Sequence, residues 1–378
     1  MDIKDFRSGK YITQEGYKSF LPEKINKEWM LSSPELTSLL EEATSKVSAL
    51  NAYSLMIPDV DIFIRMHIVK EATTSSKIEG TQTHIEEAVL SKSQVDPEQR
   101  DDWQEVQNYI RAMNFAIKEL NKLPLSNRLL RETHRILMQG VRGKHKAPGE
   151  FRRSQNWIGG TSLKDAVFVP PHNKDVEDLM SDLEKFLHNT EIHVPHLIRV
   201  AIAHYQFETI HPFLDGNGRL GRLLITLYLV SNNILKKPSL YLSDFFERNR
   251  QFYYDNLSAA RNKNNLIQWI KFFLVGIIET ADKSTGVFET ILLLKKNLEG
   301  KKIPTLGKRA PLAIKTLNFL FSKPVVTVSD IIDELGTSKP TANAIVKDFI
   351  RLKILKEQTG FKRNRIFVFE DYLNLFKK

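Results

Sequence analysis

The chain of 378 residues contains no cysteine and has a formal net charge of +10. The lack of cysteine excludes disulfides, cysteine-ligated zinc, iron–sulfur clusters and thiol nucleophiles, and it fits a reducing compartment. The length predicts about two to three domains. The first 20 residues lack the apolar core of a signal peptide, and the longest apolar runs, such as 272–278, are too short to span a bilayer. We therefore expect a cytoplasmic protein that does not associate with a membrane.

The positive charge is concentrated in the last fifth of the chain. Residues 301–378 hold 16 Lys/Arg and 7 Asp/Glu, a net charge of +9, which leaves +1 for the first 300 residues. Such asymmetry is typical of a separate domain with a polyanionic partner. A lysine-rich surface that only keeps the protein soluble is an equally simple explanation.

The hydrophobic pattern predicts a mainly α-helical protein. In the first part of the chain, helices are expected at 34–50, 60–79, 102–121 and 124–140, with Ser33 and Ser126 at their starts and a polar break at 91–102. The pattern then changes over residues 149–172. β-forming residues surround Gly159 and Gly160 there, and two prolines close the segment, so that a β-hairpin or an extended flap is predicted.

Helices are predicted again after this flap. They are expected at 173–189, 195–210, 219–235 and 266–281. The helix at 219–235 is apolar nearly all round, which is typical of a central, buried helix.

The last part of the chain resembles a winged helix–turn–helix domain. Residues 299–311 combine glycine, proline and charge and predict a linker. Helices at about 312–322, at 327–336 and from an N-cap at Ser338 follow, and then two strands surround a basic turn. In such DNA-binding domains the last helix contacts the major groove. The resemblance nominates Lys339, Thr341 and Asn343 for bases and Lys362, Arg363 and Arg365 for phosphates. Protein contact is the alternative role for such a domain.

The segment His211–Arg222, "HPFLDGNGRLGR", places polar residues and glycines between two buried helices. Pro212 should end the first helix and turn His211 outward. Glycines at 216 and 218 allow a positive φ and close approach of a ligand to the backbone. Free N–H groups at the start of the next helix are suited to bind phosphate.

Charged side chains complete this pattern. Arg219 and Arg222 lie three residues apart and therefore share one helical face beside those N–H groups. A single carboxylate, Asp215, suits Mg²⁺, which takes few protein ligands and shares phosphate oxygens. A neutral His211 can act as a general base toward a hydroxyl. Each feature alone is more often a cap, a turn or a solvated face, but together they predict a metal–phosphate site with a base at its edge.

The segment matches, position for position, the signature H-x-F-x-(D/E)-G-N-G-R-x-x-R, and the chain therefore resembles the Fic family. "QNWIGG" and "AVFVPPH", within residues 155–172, resemble the flap of that family, and "RQFYYDNL", at 250–257, resembles the segment that covers the nucleotide base. The resemblance implies a Fic-type helical core. It also implies transfer of the AMP part of ATP to a Ser, Thr or Tyr hydroxyl of a target protein.

The resemblance further implies a role for each residue of the signature. His211 would take the proton from the target hydroxyl, and Asp215 would hold Mg²⁺ on the α- and β-phosphates. The implied ATP-binding positions are Gly216, Asn217 and Gly218 at the α-phosphate, Arg219 at the leaving pyrophosphate, Arg222 at the γ-phosphate, the intervening Leu220 and Gly221, and Tyr253 at the adenine.

A second string, "SSKIEG" at 75–80, matches the family's inhibitory motif (S/T)-x-x-x-E-(G/N), with Ser75 and Glu79 at its fixed positions. A bidentate pair between Glu79 and Arg222 would remove the partner of the γ-phosphate. The sequence therefore predicts autoinhibition. A helix that ends at Gly80 with an ordinary surface glutamate is the simpler alternative.

These interpretations divide the chain into residues 1–105, a helical region with the inhibitory motif, 106–298, the Fic core, 299–311, the linker, and 312–378, the winged helix–turn–helix. Two alternative functions stay open: a nucleotide-sensing, DNA-binding regulator, and a Fic-fold phosphotransferase or deAMPylase. Gly218 favours AMP transfer over the kinase-like activity. Fic proteins often use oligomerisation for regulation, so a homodimer also stays open.

Overall fold

A short antiparallel hairpin precedes the helices. In the computed structural model, which describes residues 1–56, 60–140, 145–360 and 365–377, strand β1 (Gly9–Thr13) pairs with β2 (Lys18–Pro22). The sequence analysis missed this hairpin, because each strand has only five residues and β1 is largely exposed. β2 supports the flap, since the Phe20 N–H donates to the Val169 carbonyl at 2.9 Å.

The N-terminal helices form one wall of the molecule. They are α1 (Pro34–Met56), α2 (Val60–Ile78), α3 (Ile85–Ala88), α4 (Arg100–Glu119) and α5 (Asn127–Leu137). Ser126 caps α5 as predicted, with its side chain accepting from the Leu129 N–H. α2 is buried along much of its length, so Ser75 lies in the interior, whereas Glu79 and Gly80, which follow the helix, are partly exposed.

The central helices surround a core formed by α7 and α8. The helices of this part are α6 (Val176–His188), α7 (His196–Ile210), α8 (Asn217–Ser231), α9 (Ser243–Arg248), α10 (Arg250–Lys263) and α11 (Leu266–Asn297). Both α7 and α8 are buried on nearly all sides, as the apolar pattern predicted. α11 extends well beyond the predicted 266–281, because buried apolar residues continue at helical spacing to Ile291. The mainly α-helical fold is confirmed.

The flap, residues 149–172, is extended but holds no full strand. One antiparallel bridge joins Ile158 to Phe168, with backbone N–H to carbonyl distances of 2.8 and 3.1 Å. Gly159 and Gly160 both have positive φ, which turns the chain at its tip. The predicted β-hairpin is therefore reduced to one bridge, because a double glycine and a long polar tip interrupt the ladder.

The segment predicted as a linker, residues 299–311, is folded into helical turns. A π-helical turn spans Leu298–Lys302 and 3₁₀ turns span Ile303–Arg309, with a kink at Gly307. Ile303 and Leu306 are buried, so this segment packs against the protein.

Four helices and a small sheet follow among the described residues. They are α12 (Ala310–Ser322), β3 (Val325–Val326), α13 (Val328–Leu335), α14 (Lys339–Arg351), β4 (Lys356–Glu357), β5 (Phe367–Val368) and α15 (Glu370–Leu373), and the strand order is β3–β5–β4. Lys362 and Arg363, nominated for phosphate contact, lie outside the described residues. Arg365 forms an ion pair with Glu357. Assignment to the winged helix–turn–helix family stays a prediction. Among the described residues, no helix is both long and apolar enough to cross a membrane.

Candidate active site

The loop between α7 and α8 begins at His211, which has left-handed backbone angles (φ +50°, ψ +61°). Its N–H still closes the last turn of α7 on the Phe207 carbonyl at 2.9 Å. Pro212 lacks an N–H and cannot continue the helix, so the chain turns at the position predicted.

The imidazole of His211 is suited to accept a proton. Its Nδ1 is buried and has no hydrogen-bond partner among the described residues. Burial lowers the pKa of His211 to about 4, although the carboxylate of Glu79 acts in the opposite direction. The imidazole is therefore neutral at neutral pH, as a general base must be.

Asn217 stabilises this loop through its side-chain amide. Its Nδ2 donates to the Phe213 carbonyl at 2.9 Å, and its Oδ1 accepts from the Phe213 N–H at 2.8 Å. Both polar atoms of the buried amide are thus committed to the backbone. Asn217, nominated for the α-phosphate, acts in this structure by shaping the loop that would meet the phosphate.

His134 of α5 is a supporting residue that the sequence analysis missed. Its Nδ1 accepts from the Gly149 N–H at 2.8 Å, so its Nε2 carries the proton and donates to the Asp215 carbonyl at 2.9 Å. The ring also stacks on Phe213, with centroids 3.8 Å apart. Burial lowers its pKa to about 4, which keeps this neutral form. Nothing in the sequence distinguishes it from an ordinary core histidine.

The start of α8 presents backbone N–H groups beside a carboxylate. Gly216 has φ +75°, and a Cβ there would contact Met138 Sδ at 2.7 Å, so the position requires glycine. Asp215 accepts from the Gly216 N–H at 2.6 Å, and about half of its side chain is exposed. Arg219 is buried and donates to Glu105 Oε2 of α4 at 3.1 Å.

A cavity of about 630 Å³ opens beside these groups. It lies between the end of α2, the face of α4 and the start of α8. Its lining includes Glu79, Gly80, Arg100, Gln104, Glu105, Arg111, Asp215 and Arg219. This volume falls within the range of small-molecule sites in proteins, and the lining offers both cations and carboxylates.

The side chain of Arg222 binds two residues of the inhibitory motif. Its Nη2 donates to Glu79 Oε1 at 2.8 Å and to the Ser75 carbonyl at 2.8 Å, and its Nε donates to Ser75 Oγ at 2.9 Å. The structure therefore brings together the two predicted partners. The expected bidentate pair is not formed, because Ser75 takes Nε and Glu79 receives a single hydrogen bond.

Electrostatics favour the charged form of both partners. Burial alone would raise the pKa of Glu79, but the charge and hydrogen bond of Arg222 outweigh it and hold that pKa below its usual value. Burial likewise opposes the charge of Arg222, and Glu79 overcomes this effect and raises its pKa. Glu79 thus compensates the charge of the buried Arg222, while its own carboxylate is partly exposed.

Gly218 makes room for the carboxylate of Glu79. A Cβ at Gly218 would overlap Glu79 Oε1 and would lie 3.0 Å from Arg222 Nη1. The glutamate thus lies against the first turn of α8, where the helix dipole favours negative charge. A phosphate bound there would meet this carboxylate directly.

The remaining nominated residues lie in the core. Tyr253 is only 1% exposed, its ring stacks on Phe246, and its hydroxyl is 2.9 Å from His204 Nε2. The structure therefore does not bring Tyr253 to the cavity, whereas the adjacent Tyr254 is 40% exposed. Leu220 and Gly221 are also buried, and the Gly221 carbonyl lies 2.9 Å from His204 Nδ1.

Two buried carboxyl groups near Arg222 were not predicted. Glu71 of α2 accepts from Tyr109 Oη at 3.0 Å and Ser243 Oγ at 2.5 Å, and burial raises its pKa to about 7. Glu208 of α7 lies against Gly221, and burial also raises its pKa to about 7. In the sequence both resemble ordinary helix glutamates.

Comparison with known proteins finds two family matches and several relatives. Residues 37–118 match the family described as "Fic/DOC family N-terminal", and residues 124–229 match "Fic/DOC family". A "Protein adenylyltransferase Fic" from Drosophila erecta is 32% identical over 174 residues, which is 44% of this chain and 31% of that protein. One from Aedes aegypti is 35% identical over 125 residues, which is 33% of this chain and 22% of that protein. The match thus spans less than a third of each relative's length.

Solved structures support the fold. A Fic family protein from Desulfovibrio desulfuricans superposes with a TM-score of 0.57 at 19% identity, covering 91% of this chain and 98% of that one. A fragment of Fic-1 from C. elegans gives a TM-score of 0.51 at 20% identity, covering 68% of this chain and 75% of the fragment. The two family matches contain Ser75 and Glu79 in the first and His211 to Arg222 in the second, and they identify residues 37–118 and 124–229 as Fic/DOC family domains.

Proposed function

We propose that the protein is an adenylyltransferase that moves AMP from ATP to a Ser, Thr or Tyr hydroxyl of a target protein. The observation that carries the proposal is one loop that joins a neutral histidine to a phosphate-binding helix start beside a cavity of about 630 Å³. The relatives named "Protein adenylyltransferase Fic" support the same activity.

The proposed reaction is a single displacement at the α-phosphate. His211 takes the proton of the target hydroxyl as its oxygen forms a bond to the α-phosphorus, and the bond to the β-phosphate oxygen breaks to release pyrophosphate. The N–H groups at the start of α8 stabilise charge on the α-phosphate, and Arg219 and Arg222 stabilise charge on the leaving group. Such reactions depend mainly on positioning and charge stabilisation, which these groups supply.

Asp215 is the residue that would hold Mg²⁺. Its half-exposed carboxylate lines the cavity beside Arg219. Within the described residues, no group of three or more His, Asp or Glu side chains can enclose a metal. Mg²⁺ fits such a site, because it uses one or two carboxylates and takes its other ligands from water and phosphate. When bound, the ion would neutralise charge on the phosphates.

We also propose that Glu79 holds the enzyme inactive. Its carboxylate pairs with Arg222 and lies against Gly218, at the start of the helix that would bind phosphate. With Glu79 in place, Nε and Nη2 of Arg222 are bound by Ser75 and Glu79, a carboxylate occupies the side from which a γ-phosphate would approach, and bound ATP would be displaced from the geometry of in-line attack. Removal of Glu79 should therefore activate the protein.

Incubation of wild type, Glu79→Gly and Glu79→Gly/His211→Ala with ATP labelled at the α-phosphate tests this function. We expect strong self-labelling and labelling of lysate proteins by Glu79→Gly alone. ATP labelled at the γ-phosphate should give no transfer, which separates AMP transfer from phosphotransfer. Equal labelling by all three proteins would refute the proposed site, and transfer of the γ-label would refute the proposed reaction.

A DNA-binding role for the last 70 residues is a second candidate, and it is compatible with the first. The charge of +9 in residues 301–378 and the exposed Ser338, Lys339 and Pro340 at the start of α14 favour it. The full chain should then shift duplex DNA with an affinity that falls steeply with salt, and Lys339→Ala should weaken the shift. Absence of any shift at low salt would refute this role.

A further inference from the structure

Arg152 is a buried cation whose side-chain hydrogen bonds all go to backbone carbonyls. The residue is 2% exposed. Its Nε donates to the His211 carbonyl at 3.0 Å, and its Nη1 donates to the Ser154 carbonyl at 3.3 Å. Its Nη2 donates to the carbonyls of Pro171 at 2.5 Å and Ile210 at 3.3 Å.

The backbone of Arg152 adds a further bond to the same segment. Its N–H donates to the Pro212 carbonyl at 2.9 Å. Three consecutive carbonyls, those of Ile210, His211 and Pro212, therefore accept from one residue. The peptide planes on both sides of His211 are fixed by this arrangement, and with them the direction in which the imidazole leaves the backbone.

This support matters because His211 has an unfavourable backbone conformation. A positive φ is uncommon for a residue with a side chain, and it persists only where surrounding contacts enforce it. Asn156 helps, since its Nδ2 donates to the His211 carbonyl at 3.2 Å and to the Phe213 carbonyl at 2.9 Å. Arg152 and Asn156 therefore hold the same carbonyl from two directions.

The charge of Arg152 needs an explanation of its own. No carboxylate of the described chain lies within 4.0 Å of it, and burial lowers its pKa to about 10. A buried, unpaired charge is unfavourable, and Asn156 shows that a neutral amide can hold a carbonyl here. Only a planar guanidinium, however, has enough donors to reach the turn at His211 and the end of the flap at Pro171 together.

We propose that Arg152 is a positioning residue for the transfer reaction. It fixes the backbone at His211 and ties that backbone to the flap. The base and a target segment lying on the flap are therefore held in a fixed position relative to each other. This inference rests on the proposed function. The cationic charge of Arg152 also assists burial in keeping the pKa of His211 low, against the opposing effect of Glu79.

Substitution of Arg152 in the Glu79→Gly background tests the inference. Arg153→Gln is the matched control, because Arg153 is the next residue, its side chain is 88% exposed, and it pairs only with Glu150 in the described structure. We expect Arg152→Gln to lower kcat by about 10²-fold, since a displaced catalytic group loses about this much rate, while KM for ATP changes less than about twofold. Arg153→Gln should leave both constants unchanged.

Arg152→Lys separates charge from geometry and provides a second variant if glutamine prevents folding. Lysine keeps the charge but cannot span the carbonyls of His211 and Pro171, so kcat should still fall by about tenfold or more. Unchanged kcat in Arg152→Lys and Arg152→Gln would overturn the proposal. So would a loss of kcat that only follows the unfolded fraction measured by circular dichroism.

A measurement independent of transfer distinguishes this proposal from the proposed function. The NMR signals of the His211 imidazole should move in Arg152→Gln and Arg152→Lys but not in Arg153→Gln. If Glu79→Gly transfers no AMP while these signals move as expected, the proposed function fails and the positioning of His211 by Arg152 stands. If Glu79→Gly is active and the signals do not move, Arg152 does not position His211.

Discussion

Two buried arginines lie at the two ends of the segment His211–Arg222, and they are held in different ways: Arg152 contacts its first residue, and Arg222 is its last. Arg152, on the flap side, donates to backbone carbonyls. Arg222, on the side of α2, donates to a glutamate side chain and to Ser75. Backbone carbonyls cannot leave without local unfolding, whereas a carboxylate can rotate away. The first arrangement is suited to fix a catalytic group, and the second is suited to exchange one anion for another.

The position of Glu79 in the chain explains how such an exchange can occur. Glu79 follows the last residue of α2, and its N–H bonds the Ser76 carbonyl in a terminal turn. Gly80, with φ +105°, ends that turn. About a third of the Glu79 side chain is exposed to the cavity, while the side chain of Arg222 is 1% exposed. Movement of this terminal turn would therefore separate Glu79 from Arg222, while Ser75 in the buried part of α2 keeps its bonds to Arg222.

The largest effect that distinguishes the two sides should be the energetic coupling of Glu79 to Arg222. Arg222→Ala removes a buried side chain, leaves the hydroxyl and carbonyl of Ser75 without their donor and leaves the partly exposed Glu79 without its counter-ion, so it should destabilise the wild type by about 3 kcal/mol. The same substitution in the Glu79→Gly background should be milder, with a coupling energy of about 2 kcal/mol, a value reduced because water screens the partly exposed glutamate. Urea unfolding of the four proteins measures this coupling.

Arg152→Gln combined with Glu79→Gly provides the control for this cycle. These two residues share no described contact, so their effects should add within about 0.5 kcal/mol. Equal coupling energies in the two cycles would contradict the distinction between a fixed and an exchangeable arginine.

Gly218→Ala tests the contact between the Glu79 carboxylate and the first turn of α8. The added Cβ would overlap Glu79 Oε1, so the carboxylate must leave Arg222 or strain the helix. We expect a loss of about 1–2 kcal/mol in the wild type and a smaller loss in Glu79→Gly, where only the end of the Arg222 side chain stays close to the added Cβ. Thermal unfolding of the two pairs tests this. A similar loss in both backgrounds would mean that the methyl group strains α8 itself.

The pair should also make stability depend on acid pH. The pKa of Glu79 is lower in the folded protein than its ordinary value of 4.5. The stabilisation is therefore fully present above pH 4.5 and is lost as the pH falls through the folded pKa. The difference in unfolding free energy between wild type and Glu79→Gln should be constant from pH 8 to about 5.5 and should shrink below about pH 4.5. A constant difference down to pH 3 would exclude ionisation of Glu79 as its source.

Sequence alone could predict the contact of Arg222 with Glu79 but not the contacts of Arg152. The contact between Arg222 and Glu79 joins residues 143 positions apart, yet it was predicted, because both belong to short strings with fixed spacing. The contacts of Arg152 with His211 and Pro171 depend on how the flap packs against a loop, and its hydrogen bonds go to backbone atoms, which carry no sequence signal.

The fold shows the same difference, because local sequence patterns could be predicted and packing could not. Periodicity predicted most of the helices, and Ser126 predicted the start of α5. Periodicity could not tell which of two adjacent tyrosines is buried, and it is Tyr253, the one nominated for adenine, that lies in the core. Composition suggested a linker at 299–311, but a few buried residues, such as Ile303 and Leu306, are enough to hold that segment in helical turns.

The smallest expected loss of stability concerns Ser75. This residue belongs to the partners of Arg222, and it binds Arg222 partly through its backbone carbonyl. Ser75→Ala removes the bond from Arg222 Nε to Oγ and keeps the bond from Nη2 to the Ser75 carbonyl. Since one hydrogen bond to a charged donor is lost in the interior, stability should fall by about 1.5 kcal/mol. Denaturant unfolding measures this loss.

The same variant tests what holds Arg222 in place. If Glu79 and the Ser75 carbonyl suffice, AMP transfer by Ser75→Ala should rise only a few-fold above wild type and stay far below that of Glu79→Gly. Ser76→Ala is the matched control, because its Oγ is buried and has no hydrogen-bond partner among the described residues. Activation of Ser75→Ala to the level of Glu79→Gly would place the switch in the hydroxyl and not in the carboxylate, and Arg222 would then be held by α2 itself.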